Sequence, residues 1–257
     1  MFSAHKRYFT ALMGSTALLA SICAPASAGV FNVKPIRLFL DKGTSSVILT
    51  IQNQDTSPLR IQVAGVDWSN DRNGQLQLKP TDDLIVFPTL LTMNPFEQRN
   101  IRIGFSGTPP HNTELSYRIT IDELPSLESQ LSKERSAGLQ VRTRITVPVF
   151  LEPDTVIKKA EVESVSLQHG VAEATFTNDG NTHVTVGNVQ IAGIGANGAK
   201  VFSQTMQGWY VLAGESRDFR TAIPKDQCSR VKALSISIQT DIGSFTRNVA
   251  VAAGECV

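Results

Sequence analysis

The stretch from Leu139 to Leu151, LQVRTRITVPVFL, constrains this chain more than any other, because its residue types alternate with a period of two. Leu139, Val141, Ile145, Val147, Val149 and Leu151 fall on one face, with Thr143 interrupting the row. Gln140, Arg142, Arg144 and Thr146 fall on the other. This is the pattern of one long strand. At a sheet edge, such a strand has backbone groups and an apolar row with which to pair another chain, so recognition by strand addition is open to it.

The rest of the sequence supplies further strands. VILTIQN (Val47 to Asn53), LRIQVAGVDW (Leu59 to Trp68), NIRIGF (Asn100 to Phe105) and YRITID (Tyr117 to Asp122) are β-branched, alternating and bounded by Gly, Pro, Asn or Asp. After Leu151 comes the short joint Glu152-Pro153-Asp154, and then a second series: AEVESVSL, VAEATFTN, THVTVGNVQIAG, KVFSQTM, ALSISIQT and FTRNVAVAA. We therefore expect an all-β protein of two β-sandwich domains, residues 29–152 and 153–257. The intervening SLESQLSKERSAG (Ser126 to Gly138) is polar without a full apolar stripe and reads as a mobile loop.

The N-terminus reads as a secretory signal. His5, Lys6 and Arg7 precede an apolar run from Ala11 to Ala24 that ends in Ala26-Ser27-Ala28, so residues 1–28 are expected to be removed by a cut after Ala28. The run is too short for a stable membrane span, and Ile22 is bulky where a lipoprotein signal ending at Cys23 wants a small residue. Without Lys6 and Arg7, the 24 basic residues become 22 against 23 acidic ones. A chain so nearly neutral has no global field for nucleic acid, and any electrostatic recognition is local. Cys228 and Cys256 are the cysteines left after the signal, and in an exported protein they are expected to form one disulfide.

Apparent catalytic motifs fail on context. Gly193-Ile194-Gly195-Ala196-Asn197-Gly198 spells a dinucleotide fingerprint but lies between two strand patterns, with no helix to hold a pyrophosphate, and reads as a hairpin turn at Asn197-Gly198. His5, His111, His169 and His183 are scattered away from Cys or acid at ligand spacing, so neither a metal nor a cofactor is expected. Gly214-Glu215-Ser216-Arg217-Asp218 lacks the second glycine of a nucleophile elbow and reads as a turn. Asp82-Asp83 and Asp122-Glu123 are adjacent pairs whose members point to opposite sides of a strand, unsuited to shared acid–base work. No enzyme constellation emerges.

What remains is a set of arginines on outward strand rows, and a series of motifs around them. VKPIRLFL (Val33 to Leu40), VILTIQN, Phe87-Pro88, NPFEQRNIRIG (Asn94 to Gly104), SYRITIDELP (Ser116 to Pro125) and VPVFLEP (Val147 to Pro153) occur in that order. Together they resemble the N-terminal domain of a periplasmic pilus-assembly chaperone of the chaperone-usher family. NDGNTHVTV and GWYVLAGESRDF extend the likeness more weakly into the second half.

The resemblance implies two immunoglobulin-like domains in an L or boomerang arrangement, and a strand lent to a pilus subunit whose own sandwich lacks its last strand. The subunit is then delivered to an outer-membrane usher. These properties belong to the family and not to the residue pattern. They fit the pattern, since an incomplete sandwich exposes strand edges and an apolar groove. A donor strand with Leu139, Val141, Thr143, Ile145 and Val147 along the groove offers four apolar side chains, on the order of 6 to 12 kcal/mol before ordering costs. The donor role falls chiefly on the upstream part, Leu139 to Ile145, while Val147, Val149 and Leu151 are expected to pack inside their own domain.

The family also implies basic residues in the cleft that hold the subunit's terminal carboxylate. Arg37 matches the arginine of the first strand, and its guanidinium suits a carboxylate. The usual lysine partner on the donor strand is here Pro148, and Arg144 lies roughly 13 Å further along. This departure resembles the non-classical, archaic branch, in which Arg118 after Tyr117 is the implied anchor. We rank Arg118 first and Arg37 second, with Arg102 and Arg144 as further candidates. The alternative reading is a structural fibre subunit or adhesin of the immunoglobulin-like class.

Overall fold

The computed structural model describes residues 31–110, 112–125, 141–252 and 254–256. The signal segment, the loop from Ser126 to Gly138 and Leu139 of the donor row lie outside them. Among the described residues, eighteen strands follow in chain order. The first ten are β1 (Phe31–Lys34), β2 (Leu38–Leu40), β3 (Ser46–Asn53), β4 (Leu59–Asn70), β5 (Leu76–Pro80), β6 (Leu84–Phe87), β7 (Leu90–Met93), β8 (Gln98–Phe105), β9 (Leu115–Leu124) and β10 (Arg144–Leu151). The second series is β11 (Ala160–Gln168), β12 (Val171–Asn178), β13 (Val184–Ile194), β14 (Lys200–Gln207), β15 (Tyr210–Val211), β16 (Ser216–Ala222), β17 (Ala233–Thr240) and β18 (Gly243–Ala250).

Each series closes over its own core. In the first, a sheet of order β1-β3-β8-β6 faces one of order β2-β10-β9-β4-β5, with β7 also on β4. The alternation explains the packing: Leu49, Ile51, Ile101 and Ile103 from one sheet meet Ile61, Val63, Ile119, Ile121, Val147 and Val149 from the other. In the second, β11-β12-β16 faces β14-β13-β17-β18, with Phe176, Val189, Ile191, Ile236 and Ile238 between them. The two cores share no residue, and the first ends at Leu151.

The fingerprint-like glycines form the β13–β14 turn. Gly195 donates its N–H to the Ala199 carbonyl at 2.8 Å, and Gly198 sits at φ +76°, where a side chain would be strained. Glu215 donates its N–H to the Leu212 carbonyl at 3.1 Å, so the nucleophile-elbow lookalike is likewise a turn leading into β16.

The opening strand is shorter than its alternation predicts. β10 begins at Arg144, and Val141 to Thr143 are not strand. Its phase is set at both ends. Glu123 donates its N–H to the Thr143 carbonyl at 3.0 Å, which turns the odd-numbered backbone groups toward β9, while Glu152 donates to the Leu40 carbonyl at 2.9 Å, which turns the even-numbered ones toward β2. β2 pairs in parallel only with Val149, Phe150 and Leu151. From Arg144 to Pro148, no strand among the described residues covers that side.

Cys228 and Cys256 form a disulfide across a separation of 28 residues, with Cys228 buried against the second core. The bridge ties Cys256 to the short Lys225–Cys228 helical turn, and the adjoining Glu255 carbonyl accepts the Gly170 N–H of the β11–β12 hairpin at 2.8 Å. Replacing both cysteines by serine is expected to lower the stability of the C-terminal sandwich by about 3 to 4 kcal/mol through loop entropy. Scanning calorimetry should show the transition in which the C-terminal sandwich unfolds moving to lower temperature.

Candidate functional site: a cationic seam beside an open strand edge

The outer face of the β10-β9-β4 sheet carries the site. Because Tyr117, Ile119, Ile121, Val147 and Val149 point into the core, their neighbours form cross-strand rows on the opposite face. One row is Phe150–Ser116, the next Pro148–Arg118–Val66, then Thr146–Thr120–Ala64, then Arg144–Asp122–Gln62. Serine at position 116 leaves room for the Phe150 and Trp68 rings to approach across it, with centroids 5.7 Å apart.

The C-terminal sandwich closes over the first of these rows. Trp68, Phe150, Tyr210 and Leu212 form a separate buried cluster, with Tyr210 edge-on to Trp68 at 5.5 Å. The His183 ring stacks on Phe150 at 3.7 Å, and its Nδ1 lies 2.9 Å from both carboxylate oxygens of the buried Glu114. Glu114 also accepts the His183 backbone N–H at 3.0 Å, and the Glu114 N–H donates to the Asn181 carbonyl at 2.9 Å. On the far side, the tip of the β4–β5 hairpin grips β16. Asn70 donates its backbone N–H and side-chain amide to the Glu215 carboxylate, and Asp218 donates its N–H to the Arg72 carbonyl at 2.7 Å. Gly74 belongs at that tip because its φ is +77°, a conformation strained for any residue with a side chain.

Arg118 lies where this seam opens. Only 4% of it is exposed, yet among the described residues no carboxylate pairs with it. Its guanidinium carbon sits 4.0 Å above the Trp68 ring, and Nη1 donates to the Thr146 hydroxyl at 2.8 Å. Its Nε is buried without a partner. Burial pulls its pKa below the ordinary guanidinium value, while Tyr210 opposes the shift. Burial likewise raises Tyr210, against the pull of Arg37 and Arg118. A cation in this state has been taken out of water without receiving a counter-ion, which favours any anion that reaches it.

Arg37 stands on the other flank. It immediately precedes β2, its guanidinium is 5.9 Å from the Tyr210 ring, and the Leu38↔Val149 register brings it to the level of Pro148. Arg118 and Arg37 therefore converge on the same place from opposite sides of β10. The other two arginines do not join them. Arg102 lies on the outer face of the opposite sheet, donating to the Ser46 hydroxyl at 3.0 Å, and Arg144 is exposed and ion-paired with Asp122.

The donor row also divides. Val147 is buried in the N-terminal core and Ile145 packs against it, so neither side chain is directed outward, because each completes its own sandwich. Val141 is exposed, Thr143 is half-buried, and Leu139 lies outside the described residues. What β10 offers between Arg144 and Pro148 is its backbone edge. Nothing in the sequence assigned Trp68, Tyr210, Glu114, His183 or Glu215 a place at this seam. One signal was available: Val149-Phe150-Leu151 breaks the alternation, so the strand must be covered on both faces there.

Among the described residues, two sandwiches thus meet at a cationic seam beside a half-open strand edge. Residues 30–157 match the model of the pili and flagellar-assembly chaperone family, PapD N-terminal domain. The chain belongs to this family of pilus-assembly chaperones. No curated protein matches its sequence. Among solved structures, the chaperone–tip subunit pre-assembly complex CsuC-CsuE, from archaic chaperone-usher Csu pili of Acinetobacter baumannii, aligns with TM-score 0.60 at 17% identity, covering 87% of this chain and 100% of that one. The E. coli chaperone DraB aligns at 0.56 and 16%, covering 86% and 99%. The Salmonella enterica SafA pilin–SafB chaperone structure aligns at 0.52 and 16%, covering 85% and 96%. At these identities the likeness is one of fold.

Glu114→Ala is expected to loosen the seam, since it leaves the buried His183 N–H without an acceptor, at a cost of about 1 to 3 kcal/mol. Calorimetry should then separate the unfolding of the two sandwiches, and small-angle scattering should report a larger radius of gyration.

Proposed function

We propose that this protein is a periplasmic chaperone that captures fibre subunits by lending them the β10 edge and hands them to an outer-membrane usher. The observation that carries this reading is Arg118, a buried guanidinium that among the described residues has no acid partner and lies level with the end of a strand edge that no described strand covers. A subunit strand laid along Arg144 to Pro148 in parallel with β10, as β2 lies beyond it, brings its C-terminal carboxylate to Arg118 and Arg37. The aromatic seam holds Arg118 in place before the client arrives, which removes an ordering cost from binding.

Several lines support the reading. Residues 1–28 have the make-up of a cleaved export signal, which suits a periplasmic protein, and the family is one of non-enzymatic chaperones. Among the described residues, no helix is long and apolar enough to cross a membrane. Two of the aligned structures hold a chaperone together with a tip subunit or a pilin, which makes such subunits the clients to test. The Pro148 departure and the tyrosine–arginine pair favour the archaic branch. The fibre-subunit alternative has no observation in its favour.

Co-expression with candidate immunoglobulin-like periplasmic subunits, followed by native mass spectrometry, is the test. The wild type is expected to yield a one-to-one complex. Arg118→Ala should weaken it by a hundred-fold or more, as expected for removing one member of a desolvated charge pair, and Arg37→Ala by about ten-fold. An undiminished complex with folded Arg118→Ala would overturn the anchor, and a ladder of this chain alone would favour the fibre reading.

A further inference from the structure

The phase of β10 makes Pro148 an unusual residue at an unusual place. Even-numbered backbone groups face the open side, so the N–H groups of Arg144 and Thr146 point out of the sheet, and the next in the series would be that of residue 148. Proline has none. The Pro148 carbonyl faces the same side, where β2 begins with the Leu38↔Val149 bridge, a parallel pairing that in this phase uses the carbonyl of residue 148 and the N–H of residue 150. The edge therefore ends at Pro148 twice over, with its donor missing and its acceptor directed at β2.

We propose that Pro148 is the stop that sets the register of a captured strand and selects for a chain terminus there. This inference rests on the chaperone reading above. In a parallel pairing, the client residue after the one opposite Thr146 donates its N–H to the Thr146 carbonyl, and its own carbonyl arrives where the N–H of residue 148 would be. If the client chain continues, that peptide oxygen faces a proline ring and has no donor. When the chain ends there, the oxygen belongs to a carboxylate, and the donors available are the guanidinium of Arg118, across the strand from Pro148, and that of Arg37, at the head of β2. The proline withholds a hydrogen bond from a continuing chain, and the arginines supply it to a terminus. Specificity arises here from the unpaired group as well as from the attractive one.

The first test needs only this protein. Pro148→Val restores the N–H with a good strand former, and in the free, folded variant the backbone amide at position 148 is expected to exchange with solvent on the timescale of exposed edge amides. Slow exchange there would show that position 148 does not face an open edge, and would overturn the proposal. The second test uses a subunit that co-purifies with the wild type, in its native form and with two residues added after its C-terminus. Wild-type capture of the extended form should fall by about thirty-fold or more, because a peptide oxygen and two guanidiniums are left unmatched. With Pro148→Val, that penalty, read as the ratio of native to extended capture by the same variant, should shrink by about five- to ten-fold, the worth of one restored hydrogen bond. An unchanged penalty in the variant removes Pro148 as the stop. Loss of native capture by the folded variant overturns it as well, since the proline would then do more than withhold an N–H. If the wild type captures no subunit, it is the chaperone reading that fails, and the proposal falls with it.

Discussion

The structure turns on a cation that is buried with no counter-ion among the described residues. A guanidinium in that position is costly unless something holds it, and Trp68 and Thr146 do so only in part: the indole face offers its quadrupole, the hydroxyl takes one N–H, and Nε is left over. Arg118 can persist in this state because its strand is locked on both sides, by β4 and by β10, and because its row neighbours Pro148 and Val66 are apolar. The unmet demand is directed at one place, the mouth of the seam.

That place exists because two sandwiches meet there. Neither domain alone presents the site: Arg118, Trp68 and Arg37 come from the first, and Tyr210 and the stacked His183 from the second. The seam is held by unlike contacts at its two ends, a buried Glu114–His183 pair near the β9 start and the Asn70–Glu215 clasp at the β4–β5 hairpin. Rings fill the space between. Such a joint resists both sliding and opening, which keeps two arginines that are far apart in sequence facing one strand edge.

Much of the fold was legible in the residues. Alternation located the core rows of β3, β4, β8, β9 and β10 and their counterparts in the second half, because a half-buried strand leaves a period-two record. The turn at Asn197-Gly198 was readable because only a few residues suit φ > 0. Arg118 and Arg37 were both singled out through resemblance, Arg118 with the added support of an outward place on its strand between inward neighbours. Three things were misjudged or missed. β10 starts later than its alternation suggests, because pattern says what a strand would bury and not where pairing begins. Ile145, placed with the donor half, packs against the home core. The aromatic seam was invisible, since Trp68, Phe150, His183 and Tyr210 lie far apart in the chain and carry no shared motif.

The sequence by itself determined that this chain makes two β-sandwiches, which rows of residues face their cores, and that an arginine stands outward beside the last strand of the first domain. These follow from local periodicity and turn chemistry, which act over a few residues. Only the tertiary structure decided that Arg118 is buried with no acid beside it among the described residues, that Arg37 lies near the same seam while Arg102 and Arg144 lie elsewhere, and that no described strand covers one side of β10 ahead of Pro148. Burial, counter-ions and strand neighbours are set by segments tens of residues away, and which side of a strand carries the free N–H groups depends on the register of its partners.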